Sequence, residues 1–243
     1  MRAKVYRIFF YVLGLLLLAM GLTLNTKAGM GVSPIISVSY SISHITHINF
    51  GNTTFGLYGI FVIIEVILHT IRGIRYEKHT DDVLQHAGKI DTKLAIIMDL
   101  LQLPLSMIFT RFLNLFSKFV PEVHTEGNHS AGQFIIQLLV LILALILTGI
   151  GAAMSLDMRL IPNPGDGIVQ AISDFIHKSV GFTKNCFDIL NVTITVIISL
   201  VFIGHFYGIG IGTVLAMICV GRFIALFNYL AKAKITALAG VEE

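Results

Sequence analysis

Six apolar runs, each close to the length needed to cross a bilayer, restrict this chain more than any other feature. They cover residues 5–24, 55–71, 94–115, 134–156, 187–206 and 209–230. A spanning helix needs ~20 predominantly apolar residues. Inside lipid every backbone N–H and C=O must be paired, which makes helices the solution for runs of this length. Composition agrees: 55% of the 243 residues are hydrophobic and only 13% are charged. The expected class is all-α, a polytopic membrane protein whose residues 1–243 form one integral membrane domain. No connecting loop is long enough to fold separately.

The lysines and arginines are distributed by topology. Arg2, Lys4 and Arg7 precede the first run, and Arg72, Arg75, Lys78, Lys89 and Lys93 fill the loop after the second. Cytoplasmic loops carry the excess of basic residues. Six spans with both termini in the cytoplasm satisfy that rule, provided that two shorter helical segments, residues 34–47 and 164–178, do not cross. Each opens on a good N-cap followed by proline at the first helical position, Ser33-Pro34 and Asn163-Pro164.

A shift of 130 residues superposes Gly21 on Gly151, Pro34 on Pro164, Ile42-Ser43 on Ile172-Ser173 and Gly51-x-Thr53 on Gly181-x-Thr183. The matches fall at helix ends, helix starts and turns. A first repeat, 5–116, and a second, 134–230, each read as span, short helix, span, span. Three spans is an odd number, so the two halves enter from opposite sides, as in many secondary transporters. The expected fold is therefore two inverted three-helix repeats, each with a short re-entrant or interfacial helix.

Candidate functional residues are the polar groups that apolar surroundings would penalise. Asp166, Gln170 and Asp174 make a polar stripe on the second short helix; Asp188 and Asn191 share a face at the start of the fifth span. With Ser33 and Asn163, whose helices would point their positive ends at a site, they form the expected substrate-binding set. Glu65, Asp99 and Arg222 are ionisable residues within spans at similar depths, so pairing of Arg222 with Glu65 or Asp99 is expected, with a role in coupling or gating. His69 follows Glu65 by one turn and is expected at the interface. Gly204, Gly208 and Gly212 are read as a small-residue helix seam, Pro104 as a kink, and Cys186 and Cys219 as packing residues. His124 and His129 are read as solvated loop residues. Neither a Walker A loop nor a His-Glu-x-x-His motif is present, and no enzyme activity, cofactor, resident metal or nucleic-acid partner is expected.

The segments Ala28-Gly-Met-Gly-Val-Ser-Pro34 and Ile161-Pro-Asn-Pro-Gly-Asp-Gly167, with the later Gly-Ile-Gly-Ile-Gly-Thr213 run, resemble the YczE/YyaS/YitT group of bacterial multi-pass membrane proteins. The likeness covers most of the chain outside the basic loop and the termini. Gly29-Met-Gly31-Val-Ser-Pro34 departs from that group's more usual Gly-x-Gly-Thr-x-Pro wording. The resemblance implies a bacterial inner-membrane location. The expected function is alternating-access transport of a small polar or charged solute. The alternatives are a non-transporting membrane factor that assists a partner through the basic loop, and a substrate-binding subunit of an uptake complex. Expected partners are the lipid bilayer, a small-molecule or ion substrate, and a second copy or another membrane protein.

Overall fold

A computed structural model of the protein describes residues 2–78, 92–123 and 130–241. Their helices are α1 (Arg2–Lys27), α2 (Pro34–Thr46), α3 (Phe50–Lys78), α4 (Thr92–Phe119), α5 (Ala131–Asp157), α6 (Pro164–Ile176), α7 (Val180–Phe202) and α8 (Ile211–Phe227). A π-helical turn, Asn228–Lys232, carries α8 on into α9 (Ala233–Ala239). Among the described residues, six helical stretches are long and apolar enough to cross a membrane: α1, α3, α4, α5, α7 and the continuous α8–α9. The architecture is that of an all-helical, multi-pass membrane protein.

The amphipathy is inverted relative to a soluble bundle. Along α3, Ile60, Ile63, Ile67, Ile71 and Ile74 are exposed at helical spacing, whereas Tyr58, Val62 and Glu65 are buried. An apolar stripe facing outward suits lipid, which offers polar groups no hydrogen bonds. The inward stripe can therefore carry polar side chains, provided that they find partners.

The bundle is built on α1 and α5, which pack against each other more extensively than any other described pair. Glycines let the two backbones approach. A Cβ added at Gly151 would lie 2.3 Å from the Leu18 N, one at Gly21 2.6 Å from the Thr148 N, and one at Gly14 2.7 Å from the Ser155 N. Lipid tails are as apolar as leucine, so close van der Waals packing through small residues holds such helices together. Outside this pair, α4 lies on α1 and α8 on α5, while α2 packs on α7 and α6 on α3.

The two short helices follow the 130-residue spacing closely. Each has 13 residues with proline in its first turn, and each ends on a left-handed histidine, His47 (φ 55°) and His177 (φ 54°). The next helices start at Phe50 and Val180, again 130 residues apart.

Several expectations change. The fifth run stops at Phe202 rather than at residue 206, because Gly204 and Gly208 adopt positive φ, 83° and 74°, a conformation that ends helices. Those glycines therefore shape a turn. Of the expected seam, Gly212 alone is helical, and it meets the Gly31 and Met30 carbonyls. Cys186 is exposed and Cys219 half-buried, both free. Lys89, His124 and His129 lie outside the described residues.

The glycine interface makes a direct prediction. Gly151→Ala should lower the stability of the purified protein by about 1–3 kcal/mol, the usual cost of overpacking. Gly221→Ala, where a Cβ meets nothing within 4 Å, should not. Thermal unfolding in detergent compares the two; equal midpoints would refute the close approach.

Candidate functional site

The site grows from where the short helices begin. Asn163, the N-cap of α6, donates from Nδ2 to the Tyr58 hydroxyl at 3.3 Å. Further along, Gly167 faces Glu65, Arg72 Nη1 donates to Asp174 Oδ2 at 3.0 Å, and the Arg75 guanidinium lies 4.9 Å from the centre of the Phe175 ring. α6 thus starts beside Tyr58, two turns into α3, and finishes near the far end of that helix. α2 follows α7 in the same manner. Ser37 Oγ and Thr195 Oγ1 are 2.7 Å apart, Ser41 Oγ and Ser199 Oγ are 3.5 Å apart, and Tyr40 stacks on Tyr207 beyond them. The two starts meet: a Cβ on Gly165 would lie 2.8 Å from Ile35 Cδ1.

Non-helical backbone leads into each start, and its polar groups need partners. Arg7 donates from Nε to the Met158 carbonyl (2.8 Å) and from Nη2 to that of Arg159 (2.9 Å), and the Tyr11 hydroxyl donates to the Ile161 carbonyl (2.6 Å). The other segment is pinned by a crossing strand of turn. The Val32 N–H donates to Gly208 O (2.9 Å) and the Gly212 N–H to Met30 O (2.7 Å). Gly31, at φ 102°, is needed here, because a Cβ would fall 2.4 Å from the Gly210 N.

Polar groups collect at the start of α6. Asn163 and Asp188 are both deeply buried, and Asn163 Oδ1 and Asp188 Oδ1 have no hydrogen-bond partner. Asp188 Oδ2 accepts from Lys184 Nζ at 2.8 Å. Asp166 is half-buried in the first turn of α6. Buried acceptors without donors are costly, about 1–3 kcal/mol each. A small solute bringing N–H or O–H groups, with the helix starts supplying positive potential for an anionic part, would satisfy them.

A second cluster lies deeper along α3. Glu65 and Asp99 are only 1% and 3% exposed. Gln102 Nε2 donates to Glu65 Oε2 at 2.6 Å, and His69 Nδ1 lies 2.6 Å from Asp99 Oδ2. Glu65 Oε1 and Gln102 Oε1 have no partner. Gly167 keeps the space open, since a Cβ there would sit 2.7 Å from Glu65 Oε2 and 2.8 Å from Gln102 Oε1. Gly167 and Thr195 lie 130 residues after Ser37 and Glu65 respectively. One arm therefore closes with two hydroxyls, and the other with a carboxylate against a bare glycine.

The expected substrate-binding set divides. Asn163 and Asp166 lie at the start of α6, and Asp188 pairs with Lys184 on α7. Ser33 caps the facing helix α2 without a side-chain cap bond, and buried Asn191 donates to the Phe187 carbonyl of its own helix (2.8 Å). Gln170 and Asp174 sit toward the outer end of α6, where Gln170 Nε2 donates to Asp174 Oδ1 at 3.2 Å. Glu65 and Asp99 come together, but Arg222 is exposed on α8 and pairs with neither among the described residues. Gln102 and His69 take those places, and His69 is partly buried. Sequence reasoning missed Gln102, Tyr58 and Lys184. Their positions, three after Asp99, seven before Glu65 and four before Asp188, share faces with those carboxylates, which is the signal that finds them.

At the end of the bundle where α1 finishes, a cavity of about 690 Å3 opens beside residues 29–32 and 206–211. Tyr40, Tyr207, Gln137 and Glu122 contribute to its wall, and Glu122 pairs with Lys27 at 2.5 Å. It reaches Val32, next to Ser33.

Lys184→Ala leaves the Asp188 carboxylate buried without its cation. Breaking a pair of this kind costs about 3 kcal/mol when both partners are buried, and less here because Lys184 is partly exposed. Thermal unfolding should fall for Lys184→Ala and recover on adding Asp188→Asn; a single variant with an unchanged midpoint would refute the pairing.

A family model described as a family of unknown function, DUF6198, matches residues 5–80 and 86–229. No curated protein and no solved structure matches the chain. With that match covering most of its length, the chain belongs to the DUF6198 family.

Proposed function

We propose that the protein is a secondary transporter of a small polar or charged solute, working by alternating access of two inverted halves. The observation that carries this reading is the meeting of the α2 and α6 starts at Ile35 and Gly165, with the unpartnered Asn163 Oδ1 at the α6 N-cap. Broken helices whose starts face a site near the membrane midplane are a recurrent transporter design.

The 130-residue register supports the symmetry. Ile35 and Gly165 are themselves 130 apart, so their contact falls where a twofold axis relating the halves would pass. The packing of α2 on α7 exchanges with that of α6 on α3, and α4 on α1 exchanges with α8 on α5. One exchange fails: α3 and α4 pack along their lengths, whereas α7 and α8 scarcely touch. An inverted-repeat transporter caught open to one side must break its symmetry, and the cavity lies at the loop between α7 and α8. In this reading α2 and α6 are re-entrant, and the basic residues place the cavity on the outer face with both termini in the cytoplasm. The resemblance to bacterial YczE/YyaS/YitT proteins supports an inner-membrane location.

Reconstitution tests the proposal. Purified protein in liposomes should take up at least one labelled solute from a panel of small polar and charged metabolites, and Asp188→Asn should abolish that uptake without loss of expression. Absence of flux across the panel, with stable co-purification of a membrane partner, would favour an accessory factor or a subunit of a larger complex. Topology has an independent check. Single cysteines placed at Arg72 and Lys93 should react with an impermeant maleimide only after the cytoplasmic face is opened; labelling from outside would refute the six-span orientation.

A further inference from the structure

Transport by alternating access can be coupled to an ion, and the cluster on α3 bears on which one. Glu65 and Asp99 face one α3–α4 contact, because Gln102, which donates to Glu65, lies three residues after Asp99 on the same face of α4. Both are buried almost completely, and among the described residues neither pairs with a lysine or arginine. Two bare carboxylates sharing a buried site, away from water and without a cation, repel strongly, and such pairs share a proton. The atoms left over fit that requirement. Glu65 Oε1 and Gln102 Oε1 both lack partners, while Glu65 Oε2 already accepts from Gln102 Nε2. A hydrogen on Glu65 gives the buried group the donor that this set of acceptors lacks.

The groups facing Glu65 from each packed element are few. α4 brings Asp99 and Gln102, and α6 brings Gly167, where no side chain intervenes. On α3 itself His69 and Arg72 follow by one and two turns, with Arg72 held by Asp174 of α6. The half-hidden His69 joins the pair to the surface through its 2.6 Å contact with Asp99. A hard metal cation takes about six oxygen ligands. Here two of the four carboxylate oxygens are engaged by Gln102 and His69, and the neighbouring backbone is helical. A proton fits the vacancy and a metal ion does not.

We infer that Glu65 and Asp99 form the proton-binding site of this protein, loaded through His69, and that the proton is the coupling ion of the transport proposed above. The loading step is a relay. His69 takes a proton from solvent at Nε2 and releases the one on Nδ1 to Asp99, and Asp99 passes one proton to Glu65 within the shared site. One proton moves from solution to Glu65, and His69 returns to its neutral form. The inference rests on the transporter reading for the word coupling, but proton binding itself can be measured without any flux.

The experiment is infrared difference spectroscopy of the full-length protein in nanodiscs, stepped in pH in choline chloride. A protonated-carboxyl C=O band is expected to persist at neutral pH and to be lost in Glu65→Gln, whose amide reproduces the neutral acid's donor and acceptor. Should that variant fail to fold, Asp99→Asn reads the same band, which must shift or vanish. No band at neutral pH, or one untouched by both substitutions, overturns the assignment. A band abolished by exchanging choline for sodium overturns it in favour of a metal cation. His69→Gln should leave the band in place and slow its exchange with deuterium; an unchanged rate overturns the relay. A protein that moves no solute but keeps the band refutes the transporter reading alone.

Discussion

Unsatisfied backbone is what lipid tolerates least, and this architecture depends on how residues 28–33 and 158–163 avoid that cost. Both segments join a long helix to a short one through backbone that is mostly non-helical. Arg7 and Tyr11 accommodate one by reaching across from α1 to three of its carbonyls. The other is tied to the turn before α8 through Val32 and Met30. With those groups paired, α2 and α6 begin beside each other at Ile35 and Gly165. A helix that starts inside a protein presents its positive end there, and polar side chains at such a place acquire a purpose that a continuous span would not give them.

The two halves spend this opportunity differently. Around α2 the interior is closed by hydroxyls, Ser37 with Thr195 and Ser41 with Ser199, each small and able to satisfy itself on its own helix, as Thr195 does with Asn191 O. Around α6 the equivalent space holds carboxylates, and glycine stands where serine would block them. Hydroxyl pairs are neutral and cheap to bury, whereas buried carboxylates need partners or protons. The two short helices thus differ in charge: hydroxyls fill the contacts of α2, and a carboxylate faces glycine beside α6.

Much of this was legible along the chain. Pro34 and Pro164 marked the short helices to within a residue, because proline without an N–H favours a first turn. The apolar runs located the long helices but not their ends: α3 extends from Phe50 to Lys78 around the run 55–71, and α7 starts at Val180 and stops at Phe202 where the run was 187–206. Glu65 and Asp99 stood out as charges in spans. Arg222 misled, since depth along a helix says nothing about which way the residue points, and it faces outward. Gln102 and Tyr58 were hard to see because uncharged residues in an apolar run carry little signal. Gly204 and Gly208 were ambiguous for a different reason: glycine four apart suits both a helix seam and a turn, and only their positive φ decides.

The sequence by itself determined that the chain is a helical membrane protein, roughly where its spans lie, and that short helices start at Pro34 and Pro164, because those properties depend on local composition, capping and spacing. The tertiary structure decided which polar groups share a space. Ile35 meets Gly165, Gln102 rather than Arg222 reaches Glu65, and His69 finds Asp99. Such pairings depend on the rotation of each helix about its axis and on how closely glycines let neighbours approach, and neither quantity is written at any single position of the chain.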